Sequence, residues 1–160
     1  MPNGEFLTSE QLEGCFRALG WRWLSGPLPE TWILPFRSAE RSTVEMIIVD
    51  NGQANPNFIG VILPVMKGTQ NRDCVQKALA LANGVLGLVK ICIDNDGDVT
   101  AHVCVPRQQG LFRCPMLRHA VEAVLLGAAF IRPILDCCLK DEHCDVEAAL
   151  RSRLTGGPRS

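Results

Sequence analysis

Tyrosine is absent from this 160-residue chain, and the other aromatics are few: three Trp and six Phe. A surface built to stack nucleic-acid bases needs such rings, so their scarcity argues against one. Charge of a single sign is missing as well. With 16 basic and 17 acidic side chains the net charge is −1, and no basic stripe interleaved with aromatics occurs. Nothing here has the electrostatic footprint of a nucleic-acid partner. Long apolar runs are also lacking. The longest stretch, Val121 to Ile131, is broken at Glu122 and ends at Arg132-Pro133. A bilayer span needs about 20 mostly apolar residues, so this segment reads as a core helix and no membrane partner is expected. Met1 to Glu10 shows no basic segment followed by an apolar one, the pattern of a signal peptide, and a cytoplasmic location is the expectation. G-x-S-x-G, a Gly-rich phosphate loop and H-E-x-x-H are all missing, so neither an enzyme nor a cofactor is expected.

What is present suits a folded α+β domain. Hydrophobic residues make up 47% and charged ones 21%, ordinary values for a globular chain long enough to build a core. Eight cysteines suggest a disulfide framework. Without an export signal, however, the thiols should be reduced. Cys15, Cys74, Cys92 and Cys104 fall inside apolar elements, where a thiol packs as a small hydrophobe.

Thr8-Ser9-Glu10-Gln11 fits a capping box and predicts a helix over 9–19, closed by Gly20. Trp21 to Leu24 and Gly26-Pro27-Leu28-Pro29 read as a loop or irregular edge. Three strands follow. Trp32 to Phe36 contains Pro35 and belongs at an edge. Thr43 to Asp50 is bounded by the turn signal Asp50-Asn51-Gly52. Phe58 to Val65 is apolar on both faces, which suggests a central strand covered on each side. Asn71 can cap a helix over 72–84, whose buried stripe is Cys74, Val75, Ala78, Leu79, Ala82 and Val85, opposite Asn83.

Leu88 to Val105 predicts a hairpin around Asp94-Asn95-Asp96-Gly97-Asp98. Side chains alternate along strands, and directly paired residues must share a face. A three-residue loop, Asn95-Asp96-Gly97, places Ile91 and Ile93 beside Ala101 and Val99 and puts Gly97 where positive φ is required. In that register Cys92 and Cys104 lie roughly 13 Å apart along the strands, too far for a bridge. Pro115 opens a helix with Leu117, Val121, Val124, Ala128, Ile131 and Leu135 on its buried side, kinked or restarted at Pro133. Asp141 to Leu154 reads as a short charged helix.

In this order the chain resembles the YbjN family, a group with the fold of type III secretion chaperones. The resemblance is carried by Leu81-Ala82-Asn83-Gly84, Val89 to Val99 and the helix Leu117 to Ile131. Leu19-Gly20-Trp21 and Phe58 to Pro64 look like the family's first helix end and third strand. It implies an antiparallel five-stranded sheet with packed helices in the order α-β-β-β-α-β-β-α. It also implies a protein-binding module, chaperone-like or regulatory; members are often described as candidate sensory-transduction regulators, and many relatives form homodimers. No catalytic residue carries over. The expected division is a flexible N-terminus over 1–7, the α+β domain over 8–136, a Cys-rich helical extension over 137–153 and a disordered tail over 154–160.

Two constellations remain. Trp21, Trp23, Trp32 and Phe36 concentrate the aromatics and are the candidates for protein contact, with a core role the bland alternative. Cys137, Cys138, His143 and Cys144 are the metal candidates, since thiolate and imidazole both suit zinc, although their spacing fits no paired CxxC knuckle. They motivate an alternative function as a metal- or thiol-responsive regulator. Asp94, Asp96 and Asp98 miss the EF-hand spacing and are better explained as turn formers. Glu45 and Asp50 show no placement that would tune one as an acid, and His102 and His119 are better explained as satisfied or solvent-facing.

Overall fold

The computed structural model describes residues 4–37, 43–69 and 72–156. Its elements run α1 (Ser9–Ala18), β1 (Leu24–Ser25), β2 (Thr31–Arg37), β3 (Val44–Asn51), β4 (Phe58–Met66), α2 (Arg72–Val85), β5 (Lys90–Ile93), β6 (Val99–Pro106), α3 (Cys114–Lys140) and α4 (Val146–Thr155). The strands form one sheet in the order β1-β2-β3-β4-β6-β5. It has six strands where five were expected. The added one is β1, which pairs antiparallel with β2 through Leu24 opposite Ile33 and Ser25 opposite Trp32. A tight loop makes this possible: Gly26 N–H donates to Thr31 O at 2.8 Å, and Thr31 Oγ1 donates to Leu28 O at 2.6 Å. The chain divides into two compact units, Met1–Leu63 with His102–Leu125, and Pro64–Ala101 with Leu126–Ser160.

In the first unit the capping box forms as expected, with Thr8 Oγ1 accepting from Gln11 N–H and Thr8 N–H donating to Gln11 Oε1. Leu7 and Leu12 hold the staple positions on either side of it, and both are buried. Residues 4–7 fall within the stretch expected to be flexible over 1–7, and backbone bonds tie them to the rest of the unit. Leu7 N–H donates to Arg107 O, Gln109 N–H donates to Glu5 O, and Phe6 bridges Gln108. Trp32, Leu34, Ile47, Val49, Ile59, Val61 and Leu63 form the sheet's share of this core, with Leu12 and Phe16 from α1 and Leu117, Val121 and Val124 from α3.

A buried polar knot closes the same unit. Asn51, at the end of β3, donates from Nδ2 to Glu30 Oε2 at 2.9 Å and to Leu7 O at 3.2 Å, while its Oδ1 accepts from Arg107 Nε at 2.9 Å. Ser9 Oγ donates to the other Glu30 oxygen. The Ser9 and Asn51 hydrogen bonds, aided by the Arg107 charge, hold the Glu30 carboxyl below its ordinary 4.5 against the opposing effect of burial.

In the second unit the hairpin turn has the three-residue form. Asp94 N–H donates to Asp98 O, Gly97 N–H donates to Asp94 O, and Gly97 adopts φ 81°. Asp94 Oδ1 accepts from the N–H groups of Asp96 and Asp98, and Asp98 Oδ1 accepts from Gly68 N–H at 2.8 Å. These carboxylates hold backbone donors, which is why the turn is acidic. Val85, expected on the buried stripe of α2, is exposed. Asn83, expected on its solvent side, instead reaches the edge strand: its Nδ2 donates to Ile91 O and its Oδ1 accepts from Ile91 N–H, both at 2.8 Å. An amide offers donor and acceptor together, so one side chain satisfies both backbone groups of a β5 residue. Asn71, proposed as the cap of this helix, lies outside the described residues.

Helix α3 runs through Pro133 without restarting, and it carries Cys137 and Cys138 in its last turns, past the division expected after 136. Proline cannot donate to the carbonyl four residues back. That carbonyl, Ala129 O, accepts instead from Arg153 Nη2 of α4 at 3.1 Å. Helix α4 continues to Thr155 and ends on Gly156 at φ 66°, within the span expected as a tail; 157–160 lie outside the described residues. The expectation of reduced thiols is overturned by two disulfides, Cys15–Cys114 and Cys137–Cys144, with Cα separations of 5.7 and 5.9 Å. Neither approach is visible in cysteine spacing, because tertiary packing creates the first and the tight turn after α3 creates the second.

Candidate functional site

Alternation along β2, β3 and β4 sends every second residue away from the core. Register fixes which residues share that outward face: Leu24 with Ile33, Pro35 with Met46, Ile33 with Ile48, and Ile48 with Ile62. Such positions are ordinarily polar when they face water. At one end of this face Thr31 pairs with Asp50 and both are polar and buried, but the positions just named are apolar and at most half-buried. Leu24 is 60% exposed, Val44 53%, Met46 41% and Phe58 37%, while Ile33, Ile48 and Ile62 are half-buried. The apolar two-sided character of β4 thus marks one face against the helices and one toward solvent, where two covered faces were expected. Contiguous apolar surface of this kind is characteristic of an interaction site.

The aromatic candidates border this face. Phe16, fully buried in α1, gathers Trp21, Trp23 and Trp32 at ring separations of 6.4, 5.6 and 5.9 Å, and Trp21 meets Phe36 edge-on at 5.2 Å. Trp32 is 5% exposed and its indole Nε1 donates to Glu13 Oε1, so it belongs to the core. Trp21, Trp23 and Phe36 are half-buried. Trp21 and Trp23 join Leu24 and Pro35 in lining a groove of about 450 Å³, with the Arg17 guanidinium over the Trp23 ring at 5.8 Å. Rigid rings with one face free are effective anchors at interfaces. The sequence had no way to show that Ile33, Met46, Ile48 and Ile62 would line up, since only strand pairing brings them together.

No protein-family model matches the sequence, and no curated protein does. Solved structures do match. YbjN from E. coli superposes with a TM-score of 0.58 at 13% identity, covering 82% of this chain and 93% of that one. The HopA1–SchA chaperone–effector complex contains a chain matching at 0.53 and 14% identity, over 76% of this chain and 90% of that one. The heterodimeric ExoU–SpcU complex from the type III secretion system of Pseudomonas aeruginosa gives 0.52 and 14%, over 78% and 98%. The chain has the YbjN-like, type III secretion chaperone fold.

On this fold the remaining candidates fall as follows. His102, in β6, is half-buried, and burial holds its pKa below 6.5. His119 is exposed on α3, and the Cys114 sulfur near it in sequence is bonded to Cys15. Glu45 and Asp50 point to opposite faces of β3 by strand alternation, and both Asp50 oxygens accept backbone N–H groups, from Gln53 and Ala54. Cys92 and Cys104 are exposed and outside both disulfides. Of the four metal candidates, Cys137 is bonded to Cys144, Cys138 is buried and His143 is exposed. A residue not anticipated joins them: Cys74 of α2, with its Sγ 2.7 Å from that of Cys138. Burial, together with Cys74, pushes the Cys138 thiol up to about 12. No helix among the described residues is long and apolar enough to cross a membrane.

Proposed function

We propose that this chain is a non-enzymatic protein-binding module, chaperone-like or regulatory, that takes an apolar segment of a partner polypeptide on the outward face of β1–β4. The observation that carries this reading is the row Leu24, Ile33, Pro35, Met46, Ile48 and Ile62, apolar where solvent-facing strand positions are ordinarily polar. Support comes from the fold, which is shared with chains of a chaperone–effector complex and of a secretion-system heterodimer. Docking on the face is favoured over pairing at a sheet edge. One edge strand, β1, has only two residues and is followed by Pro27 and Pro29, and Asn83 occupies both backbone groups of Ile91 at the other edge.

The test is a displayed peptide library selected against the purified chain, followed by titration of the recovered peptides. A charge on the face would be buried without a partner, so Met46→Asp with Ile48→Asp is expected to weaken binding by roughly 100-fold or more. Trp23→Ala, at the border, is expected to cost roughly 10-fold. Light scattering on the same samples reports self-association. Peptides that bind the double variant as well as wild type would defeat the proposal. A dimer that dissociates on the same substitutions would replace the foreign segment with a second copy of this chain.

A further inference from the structure

Outside the docking face, the densest chemistry in the molecule is sulfur. Cys74 from α2, Cys138 from the last turn of α3 and Cys144 from the following turn present Sγ atoms that all lie within 4.8 Å of one another. Cys137 is joined to Cys144 by a disulfide, which ties a fourth sulfur to one of these three. The turn that returns Cys144 to the helix is built by backbone bonds, Asp141 N–H to Cys137 O and Cys144 N–H to Asp141 O, and by His143 N–H to Asp141 Oδ1. Four sulfurs drawn from two helices and a tight turn exceed what packing requires, since a thiol buried as a hydrophobe needs no sulfur neighbours.

We propose that reduction of the Cys137–Cys144 bond creates a zinc site whose ligands are the sulfurs of Cys74, Cys138, Cys144 and Cys137. Zinc bound by four thiolates at about 2.3 Å spaces the sulfurs about 3.8 Å apart, a distance within the present envelope of the three converging sulfurs. Cys74 and Cys138 need to separate by about 1 Å to reach it. Thiolates select zinc over magnesium or calcium, which prefer oxygen. An open cavity of about 1290 Å³, lined in part by Cys74, Cys138 and Cys144, gives a cation access from solvent. Lys77 and Lys140 line it together with Asp73 and Glu142.

The redox step balances with a dithiol reductant. Its two thiols are oxidised to a disulfide, the Cys137–Cys144 bond breaks, and two thiols form on this chain. Zinc then displaces the thiol protons to solvent. The oxidised chain has two of its four sulfurs tied together and is the metal-free state. In a reducing compartment the site is open.

The experiment titrates the full chain with cobalt(II), a coloured stand-in for zinc, after phosphine reduction under argon, and then displaces the cobalt with zinc. One metal per chain and the absorption of tetrahedral cobalt thiolate are expected, with none in the oxidised chain. Because Cys138 is buried, Cys74→Ser at a half-exposed position carries the ligand test, with circular dichroism as the check on folding. It is expected to weaken binding roughly 100-fold, as loss of one ligand in four should, while Cys92→Ser and Cys104→Ser change nothing. Absence of metal from the reduced wild type, equal binding by the oxidised chain, or undiminished affinity in Cys74→Ser would overturn the proposal. Weakening by His143→Ala without weakening by Cys137→Ser would overturn the four-sulfur assignment.

Discussion

Replacing Cys15 and Cys114 together by alanine is expected to lower the unfolding free energy of the oxidised protein by about 4–5 kcal/mol. The bond spans 99 residues of sequence, and the loss of unfolded-chain freedom on closing a loop of that length is worth about 4.7 kcal/mol in the chain-entropy treatment. No other disulfide among the described residues joins α1 to the first turn of α3. Urea unfolding without reductant measures the effect, and the same titration with reductant supplies the control. Wild type and variant should differ widely in the first and converge in the second. Equal midpoints under oxidising conditions would show that the bond contributes nothing. The Cys137–Cys144 bond closes a loop of only 7 residues in sequence separation, and its removal should cost about 2.5 kcal/mol by the same relation.

Asn51→Ala is expected to cost about 3 kcal/mol, a large effect for a single polar side chain. Asn51 is 1% exposed, and its amide serves Leu7 O, Glu30 Oε2 and Arg107 Nε at once. Removing it strands partners in a part-buried site, and each orphaned group loses about 1–3 kcal/mol that water only partly restores. The pH dependence separates this account from simple loss of packing. Glu30 titrates below 4.5 in the folded chain because Ser9 and Asn51 donate to its carboxylate. A lowered folded value means that the unfolded chain takes up its proton first. The stabilisation is therefore complete above pH 4.5 and is lost as pH falls through the folded value. In Asn51→Ala one of the two donors is gone and the folded value moves back toward 4.5. The stability gap between wild type and variant should narrow as pH falls below 4.5. A gap independent of pH would place the effect in packing alone.

The outward face of β1–β4 shows where local pattern stops being informative. Phe58 to Val65 alternates between two apolar sets, and alternation is legible in the residues. Which set meets a helix is not. Two covered faces and one bare apolar face give the same one-dimensional pattern, because the pattern records side-chain chemistry and not what lies opposite. Asn83 makes the same point in miniature. On a helical wheel it falls with the solvent side of α2, yet the edge strand β5 runs near enough for its amide to bond Ile91 on both sides.

The features determined by sequence were those whose physics is complete within a few residues: the Thr8 capping box, the positive φ at Gly97 in its acidic turn, and the apolar stripe of α3 from Leu117 to Leu135. Each depends on hydrogen bonds or side-chain directions fixed by the backbone nearby. Tertiary structure alone decided the pairing of Cys15 with Cys114, the meeting of Cys74 with Cys138 and Cys144, the reach of Arg153 to Ala129, and the bare face across β1–β4. These join residues far apart in sequence, and such meetings are set by how whole layers pack.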